Sequence, residues 1–150
     1  MALGEMDRLK PAIHPTYSRV LCAHLKREGF SDGDIFSGTR LAWQELLSEH
    51  RYLSLEQLSR LIRRALRLTQ EPWIGVKIGG NTPVSSHGAL GYAVVSAPDI
   101  RTLLSVVARY VGVRLQLIEL TFEEQDGWGR LQLKEQTTWA TAGNFCSAPP

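Results

Sequence analysis

The feature that most constrains this sequence is the amphipathic segment that begins at Ser54. Ser54 and Gln57 have the spacing of a capping box, in which the two side chains satisfy backbone amides at the start of a helix. Apolar residues then recur at helical spacing, namely Leu55, Leu58, Ile62, Ala65 and Leu66. The pattern predicts a helix over residues 54–68 with one face buried in a core, so the chain needs other elements to cover that face.

The opposite face of the same segment carries four arginines, at Arg60, Arg63, Arg64 and Arg67. One interpretation is a row of phosphate contacts in a stand-alone nucleic-acid-binding module. The other is a solvated face whose aliphatic stems cover apolar surface. Charge runs alone are weak signals, so the second interpretation is favoured and the first is kept as an alternative.

Helices are also predicted before this segment. Pro15 suits a first helical turn and Gly29 suits a C-terminal cap, which indicates a helix between them. Ser31 can cap a further helical turn, and residues 41–49 have the apolar spacing of a short helix. Residues 1–14 show no period and are interpreted as a loosely held lead-in.

The pattern of residue types changes after Pro72. Residues 72–80 are apolar and rich in glycine, and periodicity does not separate a strand from a short helix there. Ser96 is expected to cap a helix over residues 96–111 that turns Ile100 inward. Residues 113–124 alternate with one phase slip, which is typical of a β-bulge, and a turn at residues 126–129 predicts a hairpin. The fold class is therefore α+β, with an N-terminal helical cluster packed with a small antiparallel sheet or hairpin.

Composition excludes several classes of protein. The chain has 150 residues and a net charge of +2, which gives no reason to expect a polyanion across the whole surface. The two cysteines and four histidines lack metal-ligand spacing, so no metal and no cofactor are predicted. No motif of a nucleophile, a phosphate loop or a dinucleotide site occurs, so no enzyme is predicted. With no signal peptide or membrane span, a cytoplasmic protein without a membrane partner is expected.

Two glycines and three rings near the middle of the chain are singled out. Gly88 and Gly91 are predicted to be structural, through positive φ or a close approach between elements. Trp73, His87 and Tyr92 are polar-tipped rings among apolar residues, which makes them candidate contacts to a small molecule. His87 also supports an alternative in which the protein is a haem or gas sensor.

Three blocks of sequence then match a known pattern: residues 72–79 (PWIGVKIG), residues 87–93 (HGALGYA) and residues 96–100 (SAPDI). With the helices before them and the hairpin after them, they resemble the N-terminal effector-binding, "arabinose-binding" type domain of AraC/XylS transcriptional regulators. The resemblance covers roughly residues 13–136. The glycine–tyrosine block followed at a fixed distance by the serine–proline cap is its most specific part.

The resemblance implies a ligand-sensing and dimerising domain of a transcriptional regulator. In that family, a separate C-terminal domain with two helix-turn-helix units reads the DNA, and we expect that part to be absent from this chain. The expected partners are a small-molecule effector of unknown identity and a second copy of the chain. The expected organisation is a lead-in over residues 1–14, the effector-binding and dimerisation domain over 15–136, and an incomplete or disordered tail over 137–150.

Overall fold

The computed structural model describes residues 9–135. The predicted tail over residues 137–150, Cys146 and the first eight residues of the lead-in therefore lie outside the described residues. The elements are helical in the first two thirds of the chain and end in a hairpin, with a second small sheet near the N-terminus. This arrangement confirms the α+β class.

The first part of the chain, residues 11–81, is called the N-terminal unit below. It contains strand β1 (Pro11–Ile13), helices α1 (Thr16–Arg27), α2 (Asp32–Phe36) and α3 (Trp43–Leu46), strand β2 (Leu53–Ser54), and helices α4 (Leu55–Thr69) and α5 (Ile74–Asn81). Helix α4 packs against α1, α2 and both strands. It is the central element of the unit, as its apolar face requires.

The predicted caps at the helix ends of the N-terminal unit are confirmed. Ser54 accepts a hydrogen bond from the Gln57 amide while the Gln57 side chain accepts one from the Ser54 amide, at 3.2 and 3.0 Å. Ser31 and Asp34 form the same reciprocal arrangement at the start of α2. Gly29 follows α1 with φ +97°, a conformation open to glycine without strain.

Residues 11–14 are not a loosely held lead-in, so that part of the interpretation is wrong. Pro11–Ile13 pairs antiparallel with Leu53–Ser54, and Ile13 and His14 are buried. Residues 114–116 run along the other side of this strand: His14 N donates to Arg114 O and Gln116 N donates to Ala12 O, both at 2.9 Å. These partners lie far away in sequence, so no local period marks the strand.

The second part, residues 82–135, is called the C-terminal layer. It contains a 3₁₀ turn (Val84–His87), helices α6 (Ala89–Val95) and α7 (Ile100–Tyr110), a second 3₁₀ turn (Val111–Val113), and strands β3 (Ile118–Gln125) and β4 (Trp128–Glu135). Helix α7 packs against α6 and β3, and α6 packs against the first 3₁₀ turn. The two strands form the predicted hairpin.

Three expectations about these elements are corrected. Asp99, not Ser96, caps α7, because its carboxylate accepts a hydrogen bond from the Thr102 amide at 2.7 Å. Ile100 is then turned outward and is 67% exposed. The predicted strand with a bulge over residues 113–124 begins only at Ile118, and its pairing with β4 is regular, because residues 111–117 form a 3₁₀ turn and a connection instead.

Two shorter segments are now defined. The predicted helix over residues 41–49 is one turn, Trp43–Leu46, because its next residues fold into the loop that leads to β2. The ambiguous segment after Pro72 is helical, as α5. The hairpin turn is formed by Asp126 and Gly127, both at positive φ, which is the geometry that fits the twist of two paired strands.

The buried apolar side chains show where the core lies. Among the described residues, all but Leu117 belong to the N-terminal unit: Ala12, Ile13, Leu21, Cys22, Leu25, Ile35, Leu41, Leu46, Leu53, Leu55, Leu61, Ala65 and Ile74. Burial raises the pKa of the Cys22 thiol to about 12, so this thiol is an inert part of the core. The C-terminal layer is attached to this core and has little core of its own.

Candidate functional site

A cavity of about 630 Å³ lies where the N-terminal unit meets the C-terminal layer. That volume is in the range of small-molecule sites. The N-terminal unit supplies His14, Glu49, His50 and Tyr52, and the C-terminal layer supplies Ala89, Leu90, Ala93, Tyr110, Val113 and Arg114. A molecule in this cavity would touch both parts of the chain.

Helix α6 explains why there is room. Ala89 and Ala93 are four residues apart and therefore lie on the same face of the helix, and both line the cavity. Their methyl side chains leave open the space that larger residues would fill. Gly91, between them, lies against the 3₁₀ turn: a Cβ placed on it would be 2.0 Å from the carbonyl oxygen of Val84. Helix α6 can pack this closely only with glycine at that position.

The polar part of the wall centres on His14. Its Nε2 lies 3.2 Å from the Glu49 carboxylate and 2.7 Å from Nη1 of Arg114, and its Nδ1 accepts a hydrogen bond from the Thr16 amide at 3.2 Å. Arg19 pairs with the other oxygen of Glu49. The Tyr52 ring meets His14 edge-on, and its hydroxyl donates to the Val113 carbonyl at 2.7 Å.

The electrostatics of this group follow from its contacts. Burial, and then the charge of Arg114, lower the pKa of His14, which favours the neutral ring. The hydrogen bond from Arg19 lowers the pKa of Glu49, which keeps its carboxylate ionised. The cavity wall thus has one fixed positive charge, Arg114, and one negative charge, Glu49, and Arg19 pairs with that carboxylate without lining the cavity itself.

The structure places the predicted ligand contacts elsewhere. Trp73 and Tyr92 are 76% and 64% exposed, and neither lines this cavity. His87 is half-buried, and its ring centroid lies 5.8 Å from that of Tyr17. The three residues are not brought together in the cavity, and their role in ligand binding stays a prediction.

Gly88 has both a positive φ and a close neighbour, the guanidinium of Arg114. It has φ +60°, and a Cβ there would be 2.1 Å from Nη2 of Arg114. The guanidinium therefore packs against the bare backbone of Gly88. Sequence reasoning missed Arg114 itself, although an arginine between Val113 and Leu115, within an apolar run, was a signal that could have found it.

The arginines of α4 are largely engaged within the chain. Arg60 pairs with Glu56 at 2.9 Å, and Arg64 donates to the Asp34 carbonyl at 2.6 Å. Arg67 is exposed. These contacts favour the solvated, structural interpretation of the face over a row of phosphate contacts.

Within residues 9–135, no group of three or more His, Cys, Asp or Glu side chains could hold a metal ion. In the same range, no helix has the length and apolar character required to cross a bilayer.

Comparison with known proteins decides the family. Residues 29–148 match the family described as the arabinose-binding domain of AraC transcription regulator, N-terminal. This chain belongs to that family. The resemblance seen in the sequence is thus confirmed, and the match runs from α2 through the cavity helix α6 to the hairpin, with β1 and α1 before its start.

Individual relatives of this AraC-type domain are transcriptional regulators. Uncharacterized HTH-type regulators of Mycobacterium bovis and Mycobacterium tuberculosis are each 28% identical to it over 127 residues, 83% of this chain and 37% of theirs. The ornithine utilization regulator of Pseudomonas aeruginosa is 28% identical over 131 residues, 87% of this chain and 39% of that protein. The chain thus spans less than two fifths of the length of these relatives, and its family is one of regulators and not a class of enzymes.

Proposed function

We propose that this chain is the effector-sensing and dimerising domain of an AraC-type transcriptional regulator, and that the effector binds in the cavity between the N-terminal unit and the C-terminal layer. The observation that carries the proposal is the double origin of the cavity wall. Four of its residues come from the unit and six from the layer. A bound molecule would therefore stabilise one arrangement of the two parts.

The mechanism is a shift of population. A ligand changes an equilibrium between arrangements only if it binds one of them better than the other. The layer has few buried side chains, so its packing against the core is the arrangement that a ligand can affect most. When the layer closes on an effector, the surfaces that the layer contacts would then change as well.

The proposed dimer uses the exposed apolar side chains of the layer. Val95 and Ile100 lie at the end of α6 and the start of α7 and are 64% and 67% exposed. Large apolar side chains this exposed, on two helices that pack against each other, are candidates for an interface, and two-fold dimers are the commonest oligomers. We expect sedimentation of the wild type to show a dimer and that of Ile100→Glu a monomer. Monomer alone at high concentration of the wild type would contradict this part.

DNA contact is proposed to need a part of the regulator other than this domain. Arg60 and Arg64 of α4 hold intramolecular contacts. Helix α5 follows α4 after a four-residue connection, but its one basic side chain, Lys77, pairs with Glu28 and Glu71. The domain alone should bind DNA weakly, without sequence preference, and lose that binding in about 200 mM salt. A cytoplasmic location is part of the same proposal.

The effector site is tested by a thermal-shift screen of the 150-residue chain against a library of small metabolites. A ligand at 100 times its Kd stabilises by about 2.7 kcal/mol, which such a screen detects. The variant Ala93→Trp fills the cavity and should abolish the shift. Ala23→Trp, at an exposed position of α1, is the matched control and should keep it. Hits that survive Ala93→Trp, or a library without hits, would contradict the proposed site.

A further inference from the structure

Arg114 is a cation in the cavity wall that has no carboxylate partner within the described chain. Its side chain is half-buried, and its one polar contact is the 2.7 Å approach of Nη1 to Nε2 of His14. The nearby Glu49 uses its two oxygens for His14 and Arg19. A half-buried guanidinium next to an open cavity, without a carboxylate ion pair, is suited to an acceptor on a ligand.

The contact with His14 does not satisfy the hydrogen-bond donors of the Arg114 guanidinium. The Nδ1 atom of His14 already accepts the hydrogen bond of the Thr16 amide. Nε2 of His14 is already shared between the Glu49 carboxylate and Nη1 of Arg114. A guanidinium has five N–H donors, so this one contact leaves most of the hydrogen-bonding capacity of Arg114 for a ligand in the cavity.

The guanidinium is held in position by the backbone around it. Gly88 leaves the space that the guanidinium occupies, since a Cβ there would overlap Nη2. The main chain of Arg114 is fixed too, because its carbonyl accepts the His14 amide at 2.9 Å. A positioned guanidinium loses less side-chain entropy on binding an anion than a free surface arginine does.

The charge and shape of the remaining wall select the class of anion. Arg114 and Glu49 of the wall, counted with the Arg19 that pairs with Glu49, carry one net positive charge, which one carboxylate balances. A phosphate monoester carries about −1.5 to −2 at pH 7 and would leave negative charge uncompensated. The other lining groups include Leu90, Ala93 and Val113, which suit an apolar body.

We propose that the effector is a small monocarboxylic acid with an apolar body, and that Arg114 binds its carboxylate. This inference rests on the proposed function, because it assigns a chemical class to the effector of the same cavity. The two are separable, since a cavity that binds neutral molecules would serve the proposed function and contradict the inference.

The experiment compares acids with their neutral amides. Hexanoate and hexanamide, and phenylacetate and phenylacetamide, are titrated into the 150-residue chain at pH 7.5 and followed by saturation-transfer NMR at up to about 10 mM, which detects millimolar Kd values. Each acid should bind at least about tenfold more tightly than its amide, as expected for a charge-assisted hydrogen bond. Hexyl phosphate should bind less tightly than hexanoate.

Two variants assign the preference to one side chain. Arg114→Gln should bring the acid and the amide to equal Kd values. Arg109→Gln is the matched control: it removes the same charge from an exposed position outside the cavity wall and should keep the preference. Ala93→Trp should abolish binding of both members of each pair.

The other outcomes overturn the inference. They are equal binding of acid and amide by the wild type, an unchanged preference in Arg114→Gln, tighter binding of hexyl phosphate, and no binding of either acid. If acid and amide bind equally and Ala93→Trp abolishes the binding of both, only the assignment of a carboxylate is refuted. The proposed effector site is then retained. The acid–amide comparison in the wild type stands even if Arg114→Gln fails to fold.

Discussion

The N-terminal unit and the C-terminal layer are similar in composition but not in packing. In the unit, Leu25, Leu55 and Leu61 have no exposed surface, whereas in the layer Leu131 and Leu133 are 47% and 59% exposed. Helix α7 has a clear apolar face but not one fully buried residue. The difference teaches that an amphipathic pattern specifies the element, while a long-range partner decides whether its apolar face is covered.

This difference has an energetic consequence. Free energies of local opening follow the number of buried contacts, so the layer should open without unfolding the unit. The cavity lies at the boundary between the two, where a ligand can act on that local equilibrium. The following predictions test whether the two parts differ as the structure indicates, from the largest expected effect to the smallest.

The largest effect is expected for leucine truncation in the unit. Leu61→Ala removes a fully buried side chain of α4 and should lower the free energy of unfolding by about 2–5 kcal/mol. Leu133→Ala makes the same chemical change in β4, where the side chain is 59% exposed, and should cost less than about 0.5 kcal/mol. Urea denaturation measures both. Equal losses would refute the difference between the two parts.

A smaller effect is expected at Gly91. Gly91→Ala places a methyl group against the Val84 carbonyl oxygen, so α6 must move away from the 3₁₀ turn, at a cost of about 1–3 kcal/mol. Gly79→Ala is the control, because a Cβ on that residue of α5 meets nothing within 4 Å. The control should be neutral or slightly stabilising. Thermal melts compare the two, and a melt of Gly91→Ala like that of the wild type would contradict the close approach.

Removing the N-cap side chain of α4 or of α7 should lower stability by about 1 kcal/mol in each case, which makes the two caps a matched pair. Ser54→Ala should weaken the amide-exchange protection of both α4 and α7, since α4 is the centre of the core. Asp99→Ala should weaken protection in α7 and leave that of α4 unchanged. Hydrogen exchange followed residue by residue measures this. Loss of protection in α4 from Asp99→Ala would mean that layer and unit open as one.

The smallest effect is a pH dependence located at the boundary. The pKa of His14 is lowered from 6.5 in the folded protein, so the unfolded chain binds its proton first. The contribution of this residue is complete well above pH 6.5 and is lost as the pH falls below that value. The pKa of Glu49 is lowered from 4.5, so its contribution is lost only at more acidic pH.

Midpoints of urea denaturation, measured between pH 8 and pH 5.5, isolate the contribution of His14 to stability. The wild type should lose stability over this range, and His14→Gln should lose less. An identical slope for the two proteins would show that His14 does not titrate differently on folding.

Local signals in the sequence were sufficient to predict most helices of the N-terminal unit. The side chains of Ser31 and Ser54 find their partners three residues away, so a short stretch of sequence contains the whole interaction. The turn at Asp126 and Gly127 is equally local. Ser96 failed as a cap because a second cap residue, Asp99, stands three positions later and makes the hydrogen bond instead.

The cavity could not be predicted in the same way. Its lining comes from separate segments between His14 and Arg114, and no short stretch of sequence holds their spacing. Trp73 and Tyr92 were chosen because their rings lie among apolar residues, but that criterion does not separate a cavity from a surface. Both rings are exposed because the buried position beside each is a neighbour, Ile74 at the start of α5 for Trp73 and Gly91 of α6 for Tyr92.

The hydrogen bonds between residues 12–14 and residues 114–116 have a consequence for synthesis. The ribosome makes β1 first and β2 soon after it, but the segment that pairs with the other side of β1 appears about a hundred residues later. Until then the emerging chain exposes one unpaired edge of Ile13 and an unfilled place for Leu117 in the core. Chains fold from the N-terminus as they are made, and unpaired strand edges invite aggregation. The nascent chain therefore completes its N-terminal sheet only when residue 116 has left the exit tunnel.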